Sequence, residues 1–550
     1  MPSARFNRRS LLRLCALTGA SSVALGVTAA GRASALTNDS RLRASDASPL
    51  PDTVLAVMQK PRYAKSMWYL LVTDLNTGET LYELQADQMA FTGSVRKLFS
   101  VGLALNELGA NHRFTTPVYR TGRVDTQGIL HGDLVLAAAG DLTMGGRLNA
   151  DGGIAFTDFD HNDANNLGTA ILTPQNPLSG LDALAQQVAA SGVQTVTGDV
   201  IVDDRLFESF RVPNQNLLIT PIMVNENMVD VTVTPTQMGF PASVDWRPKS
   251  DSFGVIATIN TVASGLADTV ELSGDARVNC VGVAGCAGTI YGDIPADYRA
   301  PLSNSSMLVQ TFRIENPADY ARTAFMESLE RAGISLASTT VASNQMGSLL
   351  YSESYSPDAL VAQFVSAPYS EYAKLILKVS LNLGANLSLM LFGLANGQRT
   401  VDEALSVERQ TLIAQMGLGA DAFEFPTNGS GSPDSRATAR AVVQMLMQMA
   451  KTDVAQSYRA ALPILGVDGS LAHSGVELPA KGHVYAKTGT TIDATGLKAQ
   501  NLAGYIDARS GRQLAFAVFV NDAGPIESII DVSDVFEDEA AIANVLYQVS

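Results

Sequence analysis

The chain has 550 residues and a formal net charge of −16 at pH 7, with 46% hydrophobic and 17% charged residues. This composition excludes an intrinsically disordered protein, and the length is too great for one ordinary domain. The acidic balance also argues against nucleic acid or an anionic membrane surface as a partner, because both carry negative charge.

The N-terminus has the features of an export signal. Basic residues between Arg5 and Arg13 overlap an apolar stretch over 11–27, and Ala33-Ser34-Ala35 matches a small-residue cleavage site. The run Asn7–Leu12 resembles a twin-arginine signal, with an ordinary secretory signal as the alternative. The residues therefore predict a signal peptide over 1–35 and an exported protein of the periplasm or cell envelope.

A linker, a helix and a hairpin precede Ser94. Residues 36–52 are polar and predict an unpacked linker. The pattern then predicts a helix, two strands joined by an Asn76-Thr77-Gly78 turn, and an apolar helix that begins near Ser94. These elements cover Thr53–Lys60, Trp68–Asp74, Glu79–Leu84 and the residues up to Leu108. No apolar run after the signal is long enough for a stable membrane span.

Residues 114–355 have a different texture. Short alternating apolar runs broken by Gly, Pro, Asn and Asp are typical of strands. The predicted strands are Leu134–Ala138, Val196–Val202, Val229–Thr234, Val255–Asn260, Thr269–Leu272 and Met307–Ile314. Two helical patches, Leu181–Ala190 and Asp319–Ala332, lie among them. We expect one or two inserted β-rich domains in this region.

One acidic stretch of this region begins like a calcium loop. Asp158–Asp163 alternates oxygen ligands, but Asp163 stands where the loop needs glycine and Thr169 where it needs a bidentate acid. We therefore interpret the stretch as a solvated loop and predict no metal site.

The cysteines favour one disulfide. Cys280 and Cys286 are the cysteines that follow the predicted signal peptide. An even count in an exported chain favours a bond that closes a small loop, with two free thiols as the alternative.

From about residue 356 the helical period returns, and a series of strands follows. The predicted helices are Glu371–Val379, Leu387–Leu394, Ala437–Ala450 and a last one near Asp538–Tyr547. The predicted strands are Val484–Lys487, Leu502–Ile506 and Leu514–Val520.

Three short motifs carry the chemistry. They are Ser94-x-x-Lys97 at a helix start, Ser380-x-Asn382 at a helix junction and Lys487-Thr488-Gly489-Thr490 at a strand end. Each alone is common, but their joint presence in this order is much more specific. Together they supply the parts of an acyl-transfer site.

The residue types suggest separate roles. Ser94 is the expected nucleophile, and a partly desolvated Lys97 can take its proton. Ser380 can relay a proton, and Asn382 can hydrogen-bond a substrate amide. The strand-end motif supplies the remaining groups. They are Lys487 and Thr488 for a substrate carboxylate, Gly489 for close approach of a substrate backbone, and the N–H groups of Ser94 and Thr490 for an oxyanion hole.

Such a Ser/Lys site needs no cofactor. The five histidines lie in no recognisable catalytic triad, and the sequence has no Gly-x-Ser-x-Gly elbow, His-Glu-x-x-His motif or phosphate loop. We therefore predict an enzyme without a cofactor or metal.

On these motifs the chain resembles the penicillin-binding D-alanyl-D-alanine carboxypeptidase/endopeptidases of low-molecular-mass class C. The resemblance covers about residues 50–550. Further stretches that fit are Gly140-Asp141, Gly198–Asp204, Thr220–Ile222, Asn225–Pro235, Asn428–Ser432, Leu462–Ser470 and Ala486–Thr490.

The resemblance implies an α/β (α+β) fold with three domains. A penicillin-recognising transpeptidase/β-lactamase-like domain, an antiparallel sheet flanked by helices, would be split between 53–113 and 356–550. Two β-rich domains, one nested in the other, would occupy 114–355.

The resemblance also implies peptidoglycan stem peptides as the substrate and β-lactam antibiotics as acylating inhibitors. The expected reaction is hydrolysis of D-Ala-D-Ala through an acyl-enzyme on Ser94, with cleavage of cross-links as a further activity. Two alternatives stay open. One is a β-lactamase or esterase on the same fold, and the other is a non-catalytic peptidoglycan-binding scaffold.

Overall fold

The computed structural model describes residues 47–349 and 355–550. The predicted signal peptide over 1–35 and all but the end of the linker over 36–52 lie outside the described residues. Within the described part of the chain, no helix is both long and apolar enough to cross a bilayer.

A five-stranded antiparallel sheet forms the centre of the molecule. Its strands, in spatial order, are Thr80–Leu84, Met67–Asp74, Gln513–Asn521, Gly496–Asp507 and Val484–Asp493. Apolar residues on alternating positions bury both faces, so Leu70 and Val72 pack on one side while Tyr69 and Leu71 pack on the other. The predicted hairpin and the predicted strands from Val484 onward are confirmed. Thr80–Leu84 is one residue shorter than predicted, and each of the other strands extends beyond its predicted apolar run at one end or both.

Helices cover both faces of this central sheet. The N-terminal helix Asp52–Met58 and the C-terminal helix Ile529–Val549 pack together on one face. Helices Lys97–Leu108 and Ala439–Met449 pack on the opposite side. A flanked antiparallel sheet of this kind is the expected α+β architecture.

A further group of helices packs around Lys97–Leu108. It consists of Tyr369–Lys378, Asn382–Ala395, Val401–Ala414 and Ala455–Ala460. Helix Asn382–Ala395 has an almost wholly buried surface, because it lies between Lys97–Leu108 and Val401–Ala414. This burial places the start of the helix, with Asn382, against the start of the helix that carries Lys97.

The region between these halves is rich in strands, as predicted. It has three main sheets. The first contains Leu360–Val365, Thr115–Arg120, Leu134–Ala137 and Val200–Asp203, and the second contains Ser243–Arg247, Met228–Thr234, Leu308–Ile314 and Arg277–Val278. The third contains Gly254–Val262, Ala287–Pro295 and Glu271–Leu272. A four-strand sheet joins Ser335–Leu336, Thr195–Val196, Ile129–His131 and Arg123–Val124. The helices are Ala164–Leu167, Ser179–Ala190 and Pro317–Arg331. The three main sheets and the two longer helices, Ser179–Ala190 and Pro317–Arg331, share one hydrophobic core.

Three details of this region differ from the predictions or complete them. The run Val196–Val202 forms two separate strands in different sheets, because Val196 pairs with Leu130 and Val200 pairs with Leu134. The strand Leu360–Val365, beyond the expected limit at 356, pairs with Thr115–Arg120. Cys280 and Cys286 form a disulfide, with Cα atoms 5.4 Å apart, which confirms that prediction.

Candidate active site

The Ser94 turn is packed backbone to backbone against the strand that carries Lys487. Residues Gly93–Arg96 form one 3₁₀ turn that leads directly into helix Lys97–Leu108. Gly93 has a φ of +47°, and a Cβ there would lie 2.7 Å from the nitrogen of Thr490. Glycine therefore permits both the left-handed backbone and the close approach of the Thr490 nitrogen to the turn that carries Ser94.

Lys97 connects the first motif with the second. Its Nζ lies 2.6 Å from Oγ of Ser94, 2.7 Å from Oδ1 of Asn382 and 3.3 Å from Oγ of Ser380. The carbonyl oxygen of Ser430 lies a further 3.3 Å from the same nitrogen. Two residues separated in sequence by 285 positions, Lys97 and Asn382, thus meet at one buried amine.

The Ser380 motif is held by a tight turn between two helices. Ser380 follows helix Tyr369–Lys378 and has a φ of +58°, an uncommon backbone region for a residue other than glycine. Asn382 begins the next helix, and Asn386 one turn on accepts a hydrogen bond from the Gly429 N–H. The turn therefore aims both motif side chains at Lys97.

The Lys487 strand contributes the third side of the site. Nζ of Lys487 donates to Oγ of Ser380 at 2.9 Å and to the carbonyl oxygen of Thr488 at 2.9 Å. The Thr488 hydroxyl is also 2.8 Å from that of Ser470. A Cβ on Gly489 would lie 2.3 Å from the carbonyl oxygen of Thr92. The missing side chain of Gly489 thus makes room for the Ser94 turn, a requirement that the motif alone did not indicate.

The two lysines differ in their electrostatic surroundings although both are fully buried. Burial lowers the pKa of Lys97 well below its ordinary value, the charge of Lys487 lowers it further, and Asp163 acts in the opposite direction. Burial also lowers the pKa of Lys487, to about 7, with Asp163 again opposing the shift. A neutral amine at Lys97 has a lone pair free to accept the Ser94 proton.

A cleft of about 880 Å³ lies beside the two lysines, between the central sheet and the inserted region. The inserted region contributes one wall: Asp158 accepts a hydrogen bond from the Gly469 N–H at 2.9 Å, and Phe159 stacks on His473 with ring centroids 4.9 Å apart. Ser94, Ser380, Asn382, Thr488 and Thr490 line the cleft from the other side. A substrate bound in the cleft would contact both parts of the chain.

The interpretation of Asp158–Asp163 as a solvated loop is wrong for its central residues, Asp160 and His161. Asp160 and His161 are buried, and Arg147 donates to both Asp160 and Glu226 at 2.6–2.8 Å. The side chain of His161 lies between Glu226 and Asp230, 2.7 Å from the latter. Arg147 precedes Asp160 by 13 residues, and Glu226 and Asp230 follow His161 by 65 and 69, so the acidic stretch alone gave no sign of burial.

A metal ion has a possible donor set in this cluster. Asp160, His161 and Glu226 each offer one ligand atom, all close together. Arg147 already engages all four carboxylate oxygens of the two acids, and a guanidinium cannot give up its charge. The residues present therefore suit an ion-pair network better than a cation.

Asp163 is a cleft residue that the motifs did not reveal. It lines the cleft, and its charge acts on Lys97, on Lys487 and on Arg313. Burial raises its own pKa. In the sequence Asp163 is marked only by its place at the end of the acidic stretch Asp158–Asp163, a pattern that is typical of a surface loop.

This fold, with a serine and a buried lysine in the cleft beside an antiparallel sheet, is that of the penicillin-recognising serine enzymes. The chain belongs to the D-Ala-D-Ala carboxypeptidase 3 (S13) family, whose family model matches residues 50–540. It is therefore a serine-type D-Ala-D-Ala carboxypeptidase, and the alternatives of a β-lactamase or a non-catalytic scaffold are not favoured.

Similar proteins agree with this assignment. The chain is 28% identical over 526 residues to the D-alanyl-D-alanine carboxypeptidase of Actinomadura sp. (strain R39), covering 91% of this chain and 86% of the relative. A penicillin-sensitive carboxypeptidase A of Dictyostelium discoideum is 24% identical over 331 residues, which are 57% of this chain and 58% of that protein.

Solved structures agree in fold. Penicillin binding protein 4 (dacB) from Haemophilus influenzae superposes with a TM-score of 0.66 at 18% identity, covering 90% of this chain and 99% of that one. The same protein complexed with a β-lactam gives a TM-score of 0.64, with the same identity and coverage.

Proposed function

We propose that the chain hydrolyses the terminal D-Ala-D-Ala bond of peptidoglycan stem peptides through an acyl-enzyme on Ser94. The observation that carries this proposal is the 2.6 Å distance from Oγ of Ser94 to Nζ of Lys97, an amine with no exposed surface. A serine hydroxyl needs a base to become a nucleophile, and a neutral, buried lysine is such a base.

The first half-reaction forms the acyl-enzyme. As Oγ of Ser94 bonds to the carbonyl carbon of the penultimate D-alanine, its proton passes to Nζ of Lys97. The N–H groups of Ser94 and Thr490 stabilise the negative oxygen of the tetrahedral intermediate. The C–N bond then breaks, and Lys97 passes the proton that it took from Ser94 to the leaving amine through the hydroxyl of Ser380, whose oxygen lies 3.3 Å from Nζ.

The second half-reaction releases the shortened peptide. Water attacks the ester carbon and gives a proton to Lys97, and the ester bond to Ser94 breaks with return of a proton to Oγ. Lys97 takes up and gives back one proton in each half-reaction, so the cycle requires no metal, cofactor or redox partner.

The remaining motif residues bind the substrate. Lys487 and the Thr488 hydroxyl face the terminal carboxylate, and Thr490 lines the cleft next to them. Asn382 keeps its oxygen on Lys97 and directs its amide nitrogen at the peptide carbonyl. Gly489 permits the close packing of strand and Ser94 turn on which this alignment depends.

The same site would accept β-lactam antibiotics as acylating inhibitors, since they carry a reactive amide beside a carboxylate. A cleft of about 880 Å³ also has room for a branched peptide, which supports cleavage of cross-links as a second activity. These substrates lie outside the cytoplasm, so the proposal includes export directed by the signal peptide predicted over 1–35. The domain division stays part of this proposal, with a split peptidase domain over 53–113 and 356–550 around inserted domains over 114–355.

The test is mass spectrometry of the intact protein after treatment with benzylpenicillin. We expect one penicilloyl adduct that maps to Ser94 and is absent from Ser94→Ala. Ser474→Ala is a matched control, because Ser474 lines the same cleft without a role in the reaction. A folded wild-type protein that forms no adduct, or an adduct that persists in Ser94→Ala, contradicts the proposal.

Product analysis then separates the activities. Release of D-alanine from a defined stem peptide, lost in Ser94→Ala, supports the carboxypeptidase, and cleavage of a cross-linked dimer is scored in parallel. Rapid turnover of a chromogenic cephalosporin without any release of D-alanine would instead indicate a β-lactamase.

A further inference from the structure

A buried acid lies behind the strand that carries the third motif, and the proposed reaction does not use it. Glu539, on the C-terminal helix Ile529–Val549, has no exposed surface. Among the described residues, neither of its carboxyl oxygens has a hydrogen-bond partner. A buried polar group without partners is costly, so such a residue calls for an explanation.

Gln500 lies between this acid and the cleft. It stands directly opposite Thr490 in the ladder of strands Gly496–Asp507 and Val484–Asp493, so both side chains lie on the same face of the sheet. Oγ1 of Thr490 lies 2.9 Å from Oε1 of Gln500. Gln500 is also fully buried, and within the described structure its amide nitrogen has no partner.

Glu539 is the second group that the Gln500 side chain influences. The Gln500 amide is near enough to favour the ionised form of the Glu539 carboxyl, although the two groups do not meet in a hydrogen bond in the described structure. Burial and the nearby charge of Asp538 act the other way and prevail, so the pKa of Glu539 is raised well above its ordinary value. A carboxyl that is buried without a charged or hydrogen-bonding partner favours its protonated form, which has one O–H to donate.

The direction of hydrogen bonds through Gln500 decides what Thr490 can offer a substrate. When Oε1 faces Thr490, the threonine hydroxyl donates inward and has no proton left for a ligand. The two ends of a primary amide have the same shape, so a half-turn exchanges them at little steric cost. The amide nitrogen then donates to Oγ1, and the Thr490 hydroxyl is free to donate into the cleft.

Only a protonated acid supports this second arrangement. After the half-turn, Oε1 of Gln500 faces Glu539 and needs a donor, which a carboxylic acid supplies and a carboxylate does not. The resulting chain runs from the Glu539 O–H to Gln500, from Gln500 to Thr490 and from Thr490 to the ligand. It gives each of the three groups a partner.

We propose that Gln500 and Glu539 are positioning residues that turn the Thr490 hydroxyl toward the carboxylate of the substrate. The inference rests on the proposed function, in which Lys487 and Thr488 bind that carboxylate. Neither positioning residue touches the substrate. Their effect is confined to ligands that carry the negative charge, because an uncharged ligand gains little from the additional donor.

The experiment compares two thioester acyl donors that differ in one group. In one the thiol leaving group bears a carboxylate, and in the other that carboxylate is a methyl ester. We expect Gln500→Met to lower kcat/KM for the acid by about tenfold or more, chiefly through KM, and to leave the ester within about twofold. Glu539→Met should likewise lower kcat/KM for the acid and leave that for the ester nearly unchanged.

The conservative variant tests the proton on the acid. Glu539→Gln always carries an N–H donor, so we expect wild-type discrimination between acid and ester. In a Thr490→Val background, Gln500→Met should have no further effect on the acid, because the group it orients is gone. A structural role alone would lower both substrates together and would add to Thr490→Val.

Equal losses on the two donors, additivity with Thr490→Val, or a Glu539→Gln variant as impaired as Glu539→Met would overturn the inference. If the Met variants melt early, Gln500→Asn, whose amide is one methylene shorter, should give the same split. Failure of the proposed function is distinct, since the wild-type protein would then hydrolyse neither donor and form no penicilloyl adduct.

Discussion

The amines of Lys97 and Lys487 both lie within hydrogen-bond distance of one hydroxyl, that of Ser380, at 3.3 and 2.9 Å. Both amines are buried, and the charge of Lys487 lowers the pKa of Lys97. Two cations are unfavourable in so small a space, so the arrangement favours one neutral and one charged lysine. This asymmetry supports the proposed roles of Lys97, next to Ser94, as the base and of Lys487, on the edge strand of the sheet, as the cation.

The first prediction concerns the base. Lys97→Arg keeps a cation of similar reach, but an arginine does not lose its proton. We expect the rate of penicillin acylation to fall by about 10²–10⁴, the range for removal of a general base. Stopped-flow measurement of acylation tests this, with Lys374→Arg, on the partly exposed side of helix Tyr369–Lys378, as the control. A Lys97→Arg variant that acylates at the wild-type rate excludes Lys97 as the base.

The second prediction concerns the charge on Lys487. Its pKa of about 7 means that the free protein loses this cation as the pH rises through neutrality. The value of kcat/KM for a donor with a free carboxylate should therefore decline above about pH 7, while that for its methyl ester should not. Lys487→Arg keeps its charge, so its alkaline decline should disappear even if its maximal rate is lower. A wild-type decline of the same size for acid and ester would show that another group is titrating.

The third prediction uses Asp163, whose negative charge raises the pKa of both lysines. Without this charge both amines lose their protons more readily. Asp163→Asn should therefore move the acid limb of the kcat/KM profile, set by Lys97, and the alkaline limb, set by Lys487, to lower pH. Asp421→Asn removes an equal charge from an exposed position and should move neither limb. A profile unchanged in Asp163→Asn would contradict the placement of this acid.

The architecture was predictable where a pattern is local. The alternation of apolar residues identified the strands of the central sheet, and the spacing in Ser94-x-x-Lys97 placed both side chains on one side of a turn. The structure replaces the start of the predicted helix by a 3₁₀ turn over Gly93–Arg96. That difference arises from packing against the Lys487 strand, which no local pattern contains.

The rest of the site depends on contacts between distant segments. The sequence around Asp160 is typical of a solvated loop, and only the structure shows that Arg147 pairs with this acid. Gln500 and Glu539, both buried, belong to no motif. Their relation to Thr490 follows from strand register and from the packing of the C-terminal helix. Neither is encoded in the spacing of residue types along the chain, so the sequence motifs contain the groups of the proposed reaction but not those that we propose orient them.

The fourth prediction concerns the stability of the buried ion network. Burial alone would lower the pKa of His161, but the charges of Asp230 and Glu226 prevail and raise it to about 10. A histidine in an unfolded chain has a pKa of about 6.5. The raised value means that folding favours the protonated ring. The stabilisation is complete below about pH 6.5 and is lost progressively as the pH rises toward 10.

The matched variant is His161→Gln, which fills a similar volume without a titratable ring. It leaves Glu226 and Asp230 with less compensating charge, so we expect destabilisation of about 3–5 kcal/mol near neutral pH. We also expect the melting temperature of the variant to fall less than that of the wild type between pH 6.5 and 10, as measured by calorimetry. His131→Gln alters a half-exposed histidine paired with Asp125 and should keep the wild-type slope. If His161→Gln also kept that slope, the network would carry no charged histidine, and its acids would be balanced by Arg147 and Arg247 alone.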